Sequence, residues 1–225
     1  MRAAAVVAAA GRGERLAGDR PKAFIELAGK TLLEHAVAAI EACPEVEAFV
    51  VAAPEGWEGP AREIAGDSSK LLDVTPGRDS RQASIRRGLS HVPEDFDAVL
   101  CHDVARPLAS PKLYSAVLGA LDRAEGAVPA LPAAETVKRA AEGAVVETLI
   151  RDELVLVQTP QGFHHGVLDD AHRRAAAEAI TATDDASLVE RAGYRVVIVP
   201  GEEWNIKVTG PEDLRLAEAL LRADG

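Results

Sequence analysis

Short runs of apolar and β-branched residues recur along this chain, and each is separated from the next by a longer amphipathic stretch bounded by turn residues. That alternation leaves few folds open. Strands buried on both faces read as continuous apolar runs, and two parallel strands can be joined only by a crossover long enough to hold a helix. The expected strands are Ala4–Ala8, Phe49–Ala53, Leu71–Val74, Ala98–His102, Ala127–Leu131 and Arg195–Val199. Helices are expected near Leu32–Ala42, Gly56–Ala65, Arg81–His91, Pro111–Ala124, Val167–Ala179 and Pro211–Arg222. The predicted fold class is α/β, with a mostly parallel sheet covered by helices.

Helix starts carry their own signals. Thr31 with Glu34 and Thr209 with Glu212 have the spacing of capping boxes, while Ser110-Pro111 and Gly210-Pro211 put proline at the first helical position. Leu32, Leu33, Ala36, Val37 and Ile40 repeat at helical spacing and are expected to face the sheet.

One segment breaks the alternation. Between Glu135 and Val157, the β-like runs Thr136–Arg139 and Val145–Ile150 flank Ala140-Ala141-Glu142-Gly143, which reads as a hairpin leaving the sheet. A lone hairpin is marginal in water, so this arm is expected to pack on a second copy of the chain, giving a homodimer. At 225 residues the rest fits a single domain spanning 1–225, with 135–157 as the projecting arm.

Charge narrows the partners. Lys and Arg number 25 against 36 Asp and Glu, a net charge of −11 that repels nucleic acid and anionic lipid. The first residues, MRAAAVVAAAGRG, superficially resemble a signal peptide, but the run lacks Leu and leads straight into Arg12, Glu14 and Arg15. It reads better as a buried strand, so no targeting or membrane segment is expected. Cys43 and Cys101, far apart in apolar contexts, support neither a disulfide framework nor a zinc site, and the expected compartment is the cytoplasm.

Against that acidic background, the segment after the first strand, AAAGRGERLAGDRPKAF, is locally basic. Arg12, Arg15, Arg20 and Lys22 face only Glu14 and Asp19, among Gly11, Gly13 and Gly18. Glycines let backbone N–H groups converge on an oxyanion, and flexible cations neutralise a polyphosphate, so the loop reads as a cradle for a nucleoside triphosphate. A solvated surface loop is the plain alternative. Two familiar motifs fail here: a dinucleotide fingerprint from Gly11 meets Leu16 where glycine is needed, and a P-loop from Gly13 meets Asp19-Arg20 after Gly18.

Two further segments lie at predicted strand ends. His102-Asp103-Val104-Ala105-Arg106-Pro107 puts an acid and a guanidinium at the carboxyl edge of the sheet, where Asp103 suits Mg²⁺ or, more plainly, pairs with Arg106 to close a loop. Pro76–Ser84 offers glycine, Asp79 and Ser84 to a base or ribose, and the alternative there is a helix N-cap at Asp79 or Ser80.

Taken together, AAGRGERL with PKAF, GRDSRQAS, HDVARP, ETVKR, QTPQGF, TDDAS and NIKVTGPEDL occur in one order over nearly the whole chain. In these pieces the chain resembles the 2-C-methyl-D-erythritol 4-phosphate cytidylyltransferases of the non-mevalonate isoprenoid route. The resemblance implies a Rossmann-like nucleotidyltransferase sheet, a β-arm that builds a homodimer, and transfer of a cytidylyl group from CTP to methylerythritol phosphate with release of pyrophosphate. It implies Mg²⁺ or another divalent ion as cofactor. Carried over by position, Arg15, Lys22 and Lys207 would be catalytic, and Ala9, Ala10, Gly11, Gly77, Asp79 and Ser84 would hold the nucleoside. Asp103 would meet the metal or the substrate. Arg106, Thr136, Thr159 and Thr183 would line the acceptor pocket, and Arg151 would reach the acceptor phosphate from the neighbouring subunit.

The chemistry implied asks little of histidine. A phosphate oxygen is already ionised at neutral pH, so the nucleophile has no proton to lose and the enzyme must instead neutralise two anions that repel each other. His35, His91, His164, His165 and His172 show no triad or ligand spacing, and His102 reads as support for its loop. A cytidylyltransferase for another polyol phosphate, such as ribitol phosphate, would share the triphosphate loop, and an inert nucleotide-binding module would bind CTP without turnover. A purely structural dimerisation protein leaves the basic loop unexplained.

Overall fold

The computed structural model describes residues 1–11, 13, 16 and 20–223. Twelve strands and seven α-helices are formed among them. The six predicted strands are all present, as β1 (Ala3–Ala8), β4 (Val46–Ala53), β5 (Leu71–Pro76), β6 (Ala98–Asp103), β7 (Gly126–Pro132) and β12 (Val196–Pro200). They join β10 (Val155–Val157) and β11 (Gln161–His164) in one sheet of order β10-β7-β11-β6-β1-β4-β5, with β12 pairing β7. The pairs β1–β4, β1–β6, β4–β5 and β7–β12 are parallel, whereas β10 and β11 run antiparallel to their neighbours. The fold is therefore α/β with a mostly parallel sheet.

Alternation along β1 explains the two-sided core. Ala3, Ala5 and Val7 face α1 (Leu32–Glu41), α2 (Glu58–Ala65), α4 (Pro111–Ala120) and α7 (Pro211–Ala223). Ala4 and Val6 face the opposite layer, built from α3 (Arg81–Leu89), α5 (His165–Ala177) and α6 (Asp185–Arg191). Small residues let the layers close tightly: a Cβ at Gly88 would stand 2.4 Å from Val6 Cγ1.

Local signals set the helix ends. Thr31 and Glu34 form the expected capping box, and Ser110 accepts from the Leu113 amide ahead of Pro111. At α7 the acid that reaches back is Asp213 and not Glu212. Its Oδ2 accepts from the backbone N–H groups of Thr209 (2.7 Å) and Gly210 (2.9 Å) and from the Thr209 hydroxyl. Five strands and helices went unpredicted: the two-residue strands Glu26–Leu27 and Lys30–Thr31, β10, β11 with Gly162 inside it, and α6, which has only seven residues.

The excursion is a hairpin of β8 (Lys138–Ala141) and β9 (Ala144–Thr148), separate from the main sheet. Its turn is two residues, tighter than the four expected, because Glu142 (φ 51°) and Gly143 (φ 79°) both take the left-handed conformation that matches strand twist. Every residue of β8 and β9 is exposed. Val155–Val157, at the end of the predicted arm, pairs instead with β7. The short strands β2 (Glu26–Leu27) and β3 (Lys30–Thr31) form a second small hairpin ahead of α1.

Candidate active site

The chain runs from β1 outward to β4 and β5, then returns to place β6 on the other side of β1. Such a reversal opens a crevice at the carboxyl ends of the strands, where α/β sheets bind ligands. A cleft of about 1240 Å³ lies there, bounded by the residues that follow β1, β4, β5 and β6.

One wall is made where two loops pack closely on each other. A Cβ on Gly77 would lie 2.3 Å from Ala10 Cβ and 3.1 Å from the Ala53 carbonyl oxygen, so only glycine fits. The Gly77 amide donates to that same carbonyl at 2.7 Å, fixing the loop to the end of β4. Ser84 shapes the next turn: its Oγ accepts from the Arg78 amide (2.9 Å) and donates to Ser80 O (2.8 Å). Ser80 is the N-cap of α3, which leaves Asp79 exposed on the cleft wall. Ala10 and Gly11 also line the cleft, whereas Ala9 is buried in the core and gives its amide to Ala52 O at 2.9 Å.

The opposite wall gathers charge. Lys22 sits in a single 3-10 turn, Lys22–Phe24, beside Gly13, whose φ of 69° and 3.1 Å approach to Lys22 Cβ again call for glycine. Lys22 Nζ donates to Val208 O at 3.0 Å, so the turn after β1 and the segment before α7 meet across the cleft. Trp57 also lines the cleft, packed on Phe24 with ring centroids 4.7 Å apart and ring planes tilted by 40°. Arg20 is an exposed part of the lining. Arg15, with Arg12, Glu14, Gly18 and Asp19, lies outside the described residues.

Asp103 ends β6, directly beside Ala8 of β1. Its Oδ2 meets Lys207 Nζ at 2.7 Å and its Oδ1 meets Arg81 Nε at 2.5 Å. Burial alone would raise the pKa of this carboxyl, but Arg81 and Lys207 outweigh it and hold the group well below the usual carboxylate range. The alternative pairing with Arg106 does not form. The Arg106 guanidinium instead donates to Asn205 O (2.7 Å) and Val157 O (3.1 Å), bracing the segment that carries Lys207. Asn205 is buried and works alongside, giving its Nδ2 to Gln158 Oε1 (3.2 Å) and Thr159 O (3.0 Å).

The expected acceptor residues fall into two groups. Thr159 is buried, its Oγ1 accepting from the Asp103 amide at 3.1 Å, so it positions that carboxylate from behind. Thr136, Arg151 and Thr183 are exposed and outside the cleft lining. Arg151 Nη1 donates to Ala134 O at 3.2 Å, tying together the two roots of the hairpin.

Sequence reasoning missed Arg81. It occupies the first position of α3, bonds two buried carboxylates, and belongs to the cleft lining. The available signal was an arginine directly after the Ser80 cap, facing the sheet edge that bears Asp103. Five histidines have hydrogen-bond partners outside the cleft lining: His35, His164 and His165 face backbone carbonyls, His91 faces Asp73 and His172 faces Asp185.

A glycine-bearing wall, the ammonium groups of Lys22 and Lys207 and a buried carboxylate, all lining one cleft at the switch point of a mostly parallel sheet, define a nucleotidyltransferase. The sequence model of the 2-C-methyl-D-erythritol 4-phosphate cytidylyltransferase (IspD) family matches residues 3–223, and the chain belongs to that family. Among its relatives, the 2-C-methyl-D-erythritol 4-phosphate cytidylyltransferase of Pelotomaculum thermopropionicum is 42% identical, covering 98% of this chain and 94% of that one. The one from Frankia casuarinae is 46% identical, covering 98% and 81%. The crystal structure of the Thermus thermophilus enzyme superposes with a TM-score of 0.83 at 38% identity, covering 99% of this chain and 100% of that one.

Proposed function

We propose that this chain transfers a cytidylyl group from CTP to 2-C-methyl-D-erythritol 4-phosphate, forming 4-diphosphocytidyl-2-C-methyl-D-erythritol and pyrophosphate in isoprenoid precursor synthesis. Family membership over residues 3–223 carries this reading. A phosphate oxygen of the acceptor attacks the α-phosphorus of CTP, and the bond from that phosphorus to the β-phosphate oxygen breaks, releasing pyrophosphate. The cleft wall that Ala10, Gly11 and Gly77 form takes the nucleoside, with Asp79 and the Ser84-shaped turn beside it. Lys22 and Lys207, with Arg15, neutralise the triphosphate and the charge that grows around phosphorus as it changes partners.

Asp103 is the group that would hold a divalent ion. A single hard carboxylate, whose oxygens each keep a lone pair beyond the one given to Arg81 or Lys207, fits Mg²⁺ completed by phosphate oxygens and water. Among the described residues, no group of three or more His, Cys, Asp and Glu side chains forms an all-protein cage. When bound, the ion would supply charge neutralisation at the triphosphate.

The arm supports a homodimer. Val145, Val146 and Ile150 are more than 60% exposed, and such apolar side chains on a thin hairpin call for a partner surface. In that dimer Arg151 would bind the acceptor phosphate in the neighbouring site, with Thr136 and Thr183 beside it. No described helix is long and apolar enough to cross a membrane. With both cysteines free, that accords with work in the cytoplasm.

The test is Mg²⁺-dependent pyrophosphate release from CTP with methylerythritol phosphate, run beside ATP, UTP, GTP and ribitol 5-phosphate. Release that needs CTP and methylerythritol phosphate is the expected result. Release with ribitol 5-phosphate alone, or none at all, overturns the reading.

A further inference from the structure

From the cleft wall inward, five ionisable side chains form a line whose inner members touch no part of the cleft. Lys207 Nζ meets Asp103 Oδ2 at 2.7 Å, and Arg81 Nε holds the other oxygen of Asp103. Arg81 Nη1 then meets Asp185 Oδ2 at 2.7 Å, and His172 Nε2 meets Asp185 Oδ1 at 3.0 Å. The side chains of Asp185 and His172 are each only 1% exposed, and neither lines the cleft. Because a carboxylate only accepts, His172 Nε2 is the donor.

Holding the fold does not explain charges placed there. A buried ion pair loses much of its attraction to desolvation, and well-packed apolar residues would stabilise the same space at least as well. What ions and directed hydrogen bonds add is orientation. Asp103 has a short side chain that rotates unless both oxygens are engaged, and Arg81 can hold one of them steadily only if its own guanidinium plane is fixed. Asp185 fixes it, and is itself fixed twice: His172 anchors its carboxylate, and Gln161 Oε1 accepts from its backbone amide at 3.2 Å. Gln82, the neighbour of Arg81, ties the same segment from α3 by donating to Ile180 O (3.0 Å) and accepting from the Ala182 amide (2.9 Å).

We infer that Arg81, Asp185 and His172 act as a positioning strut that aims the Asp103 carboxylate, and through it the Lys207 ammonium, at the reacting phosphates. The strut rests on the cytidylyl-transfer reading and adds to it a set of residues reaching from α5 to the cleft. It also joins the two substrate sides, since Asp185 lies two residues after Thr183 while Arg81 enters the nucleotide wall. Transition-state charge stabilisation is sensitive to misplacement of this kind, and supporting residues one bond removed typically matter by tenfold or more.

The test uses steady-state kinetics and thermal melting of the full chain carrying His172→Leu, His172→Gln, Asp185→Asn and Lys207→Met. His172→Leu is expected to lower kcat about tenfold with KM for CTP within about twofold of wild type, as for an interaction made in the transition state. His172→Gln keeps a donor near the Nε2 position and is expected to restore most of the rate, whatever its melting temperature. Asp185→Asn, close in shape to the native residue, should reproduce the loss if His172→Leu does not fold. In the Lys207→Met background the His172→Leu effect should shrink to less than about threefold, because the two residues act through one carboxylate. Wild-type kcat in both His172→Leu and Asp185→Asn overturns the strut, as does a loss that glutamine fails to rescue or that persists in full without Lys207. Failure of the wild-type chain to release pyrophosphate would instead overturn the functional reading.

Discussion

The Lys207 ammonium rests 2.7 Å from Asp103 Oδ2, so a cation meant for phosphate is held by a carboxylate at the cleft wall. The pairing holds the ammonium near its place while leaving the side chain 44% exposed. Removing it takes away a fixed charge and little packing. Lys207→Ala is expected to lower kcat by two to three orders of magnitude, about 3–4 kcal/mol of barrier, with only a small change in melting temperature. Lys22→Ala should behave alike. Wild-type turnover from either variant would remove both from the catalytic set.

Gly77 gives a steric test of the nucleoside wall. Alanine there brings a Cβ to 2.3 Å from Ala10 Cβ, and the crowding falls on backbone as well, at 3.1 Å from Ala53 O. Relief requires the two loops to part, which displaces the cleft wall on that side and costs about 1–3 kcal/mol of stability. Gly77→Ala is expected to raise KM for CTP by about tenfold or more, with a smaller effect on KM for the acceptor. Equal KM values for CTP in the two proteins would show that the base binds elsewhere.

Much of the scaffold was readable because its signals are local. β1, the Ala48–Ala53 part of β4 and the Ala98–Cys101 part of β6 announce themselves as apolar runs, and α1 carries both a periodic face and the Thr31–Glu34 box. The cleft lining was readable where glycine and charge concentrate, around Gly11, Gly77, Lys22 and Asp103. What escaped depends on distance along the chain. Arg81 looks like an ordinary first-turn arginine until its partners, 22 and 104 residues away, fold against it. Arg106 and Thr159 have the residue types of ligand contacts, but backbone groups claim them, and no sequence pattern reveals that competition. At α7 two adjacent acids fit the cap, and only the backbone path decides for Asp213.

If Arg151 serves the neighbouring subunit, two defective chains can repair each other. Arg151→Ala alone should raise KM for methylerythritol phosphate about tenfold, leaving KM for CTP and the dimer unchanged. Mixing and exchanging Arg151→Ala with Lys207→Ala, then assaying at low acceptor concentration, should recover about a quarter of wild-type activity, since half the dimers regain one intact site. No recovery in proven mixed dimers would place Arg151 in its own subunit's site or in none.

His102 links stability to pH. It is fully buried, with Nδ1 3.4 Å from Thr159 Oγ1 and its ring 5.4 Å from that of Tyr114. Burial pushes its pKa down to about 4, with the Arg106 charge adding to the effect against the opposing pull of Asp103. In the unfolded chain the imidazole takes up its proton near pH 6.5, whereas the folded one stays neutral until about 4. Between those values the unfolded state binds more protons, so stability falls as pH falls, by about 2 kcal/mol at pH 5 and roughly 3 kcal/mol once both states are protonated. Asp103 and Asp185, held low by Arg81, lose their contributions only below the ordinary carboxylate range near pH 4, outside this window. Denaturant unfolding at pH 7 and pH 5 should therefore show a drop that shrinks by about 2 kcal/mol in His102→Gln, which cannot titrate. An equal drop in both proteins would mean that the buried imidazole is not the group that links folding to acid.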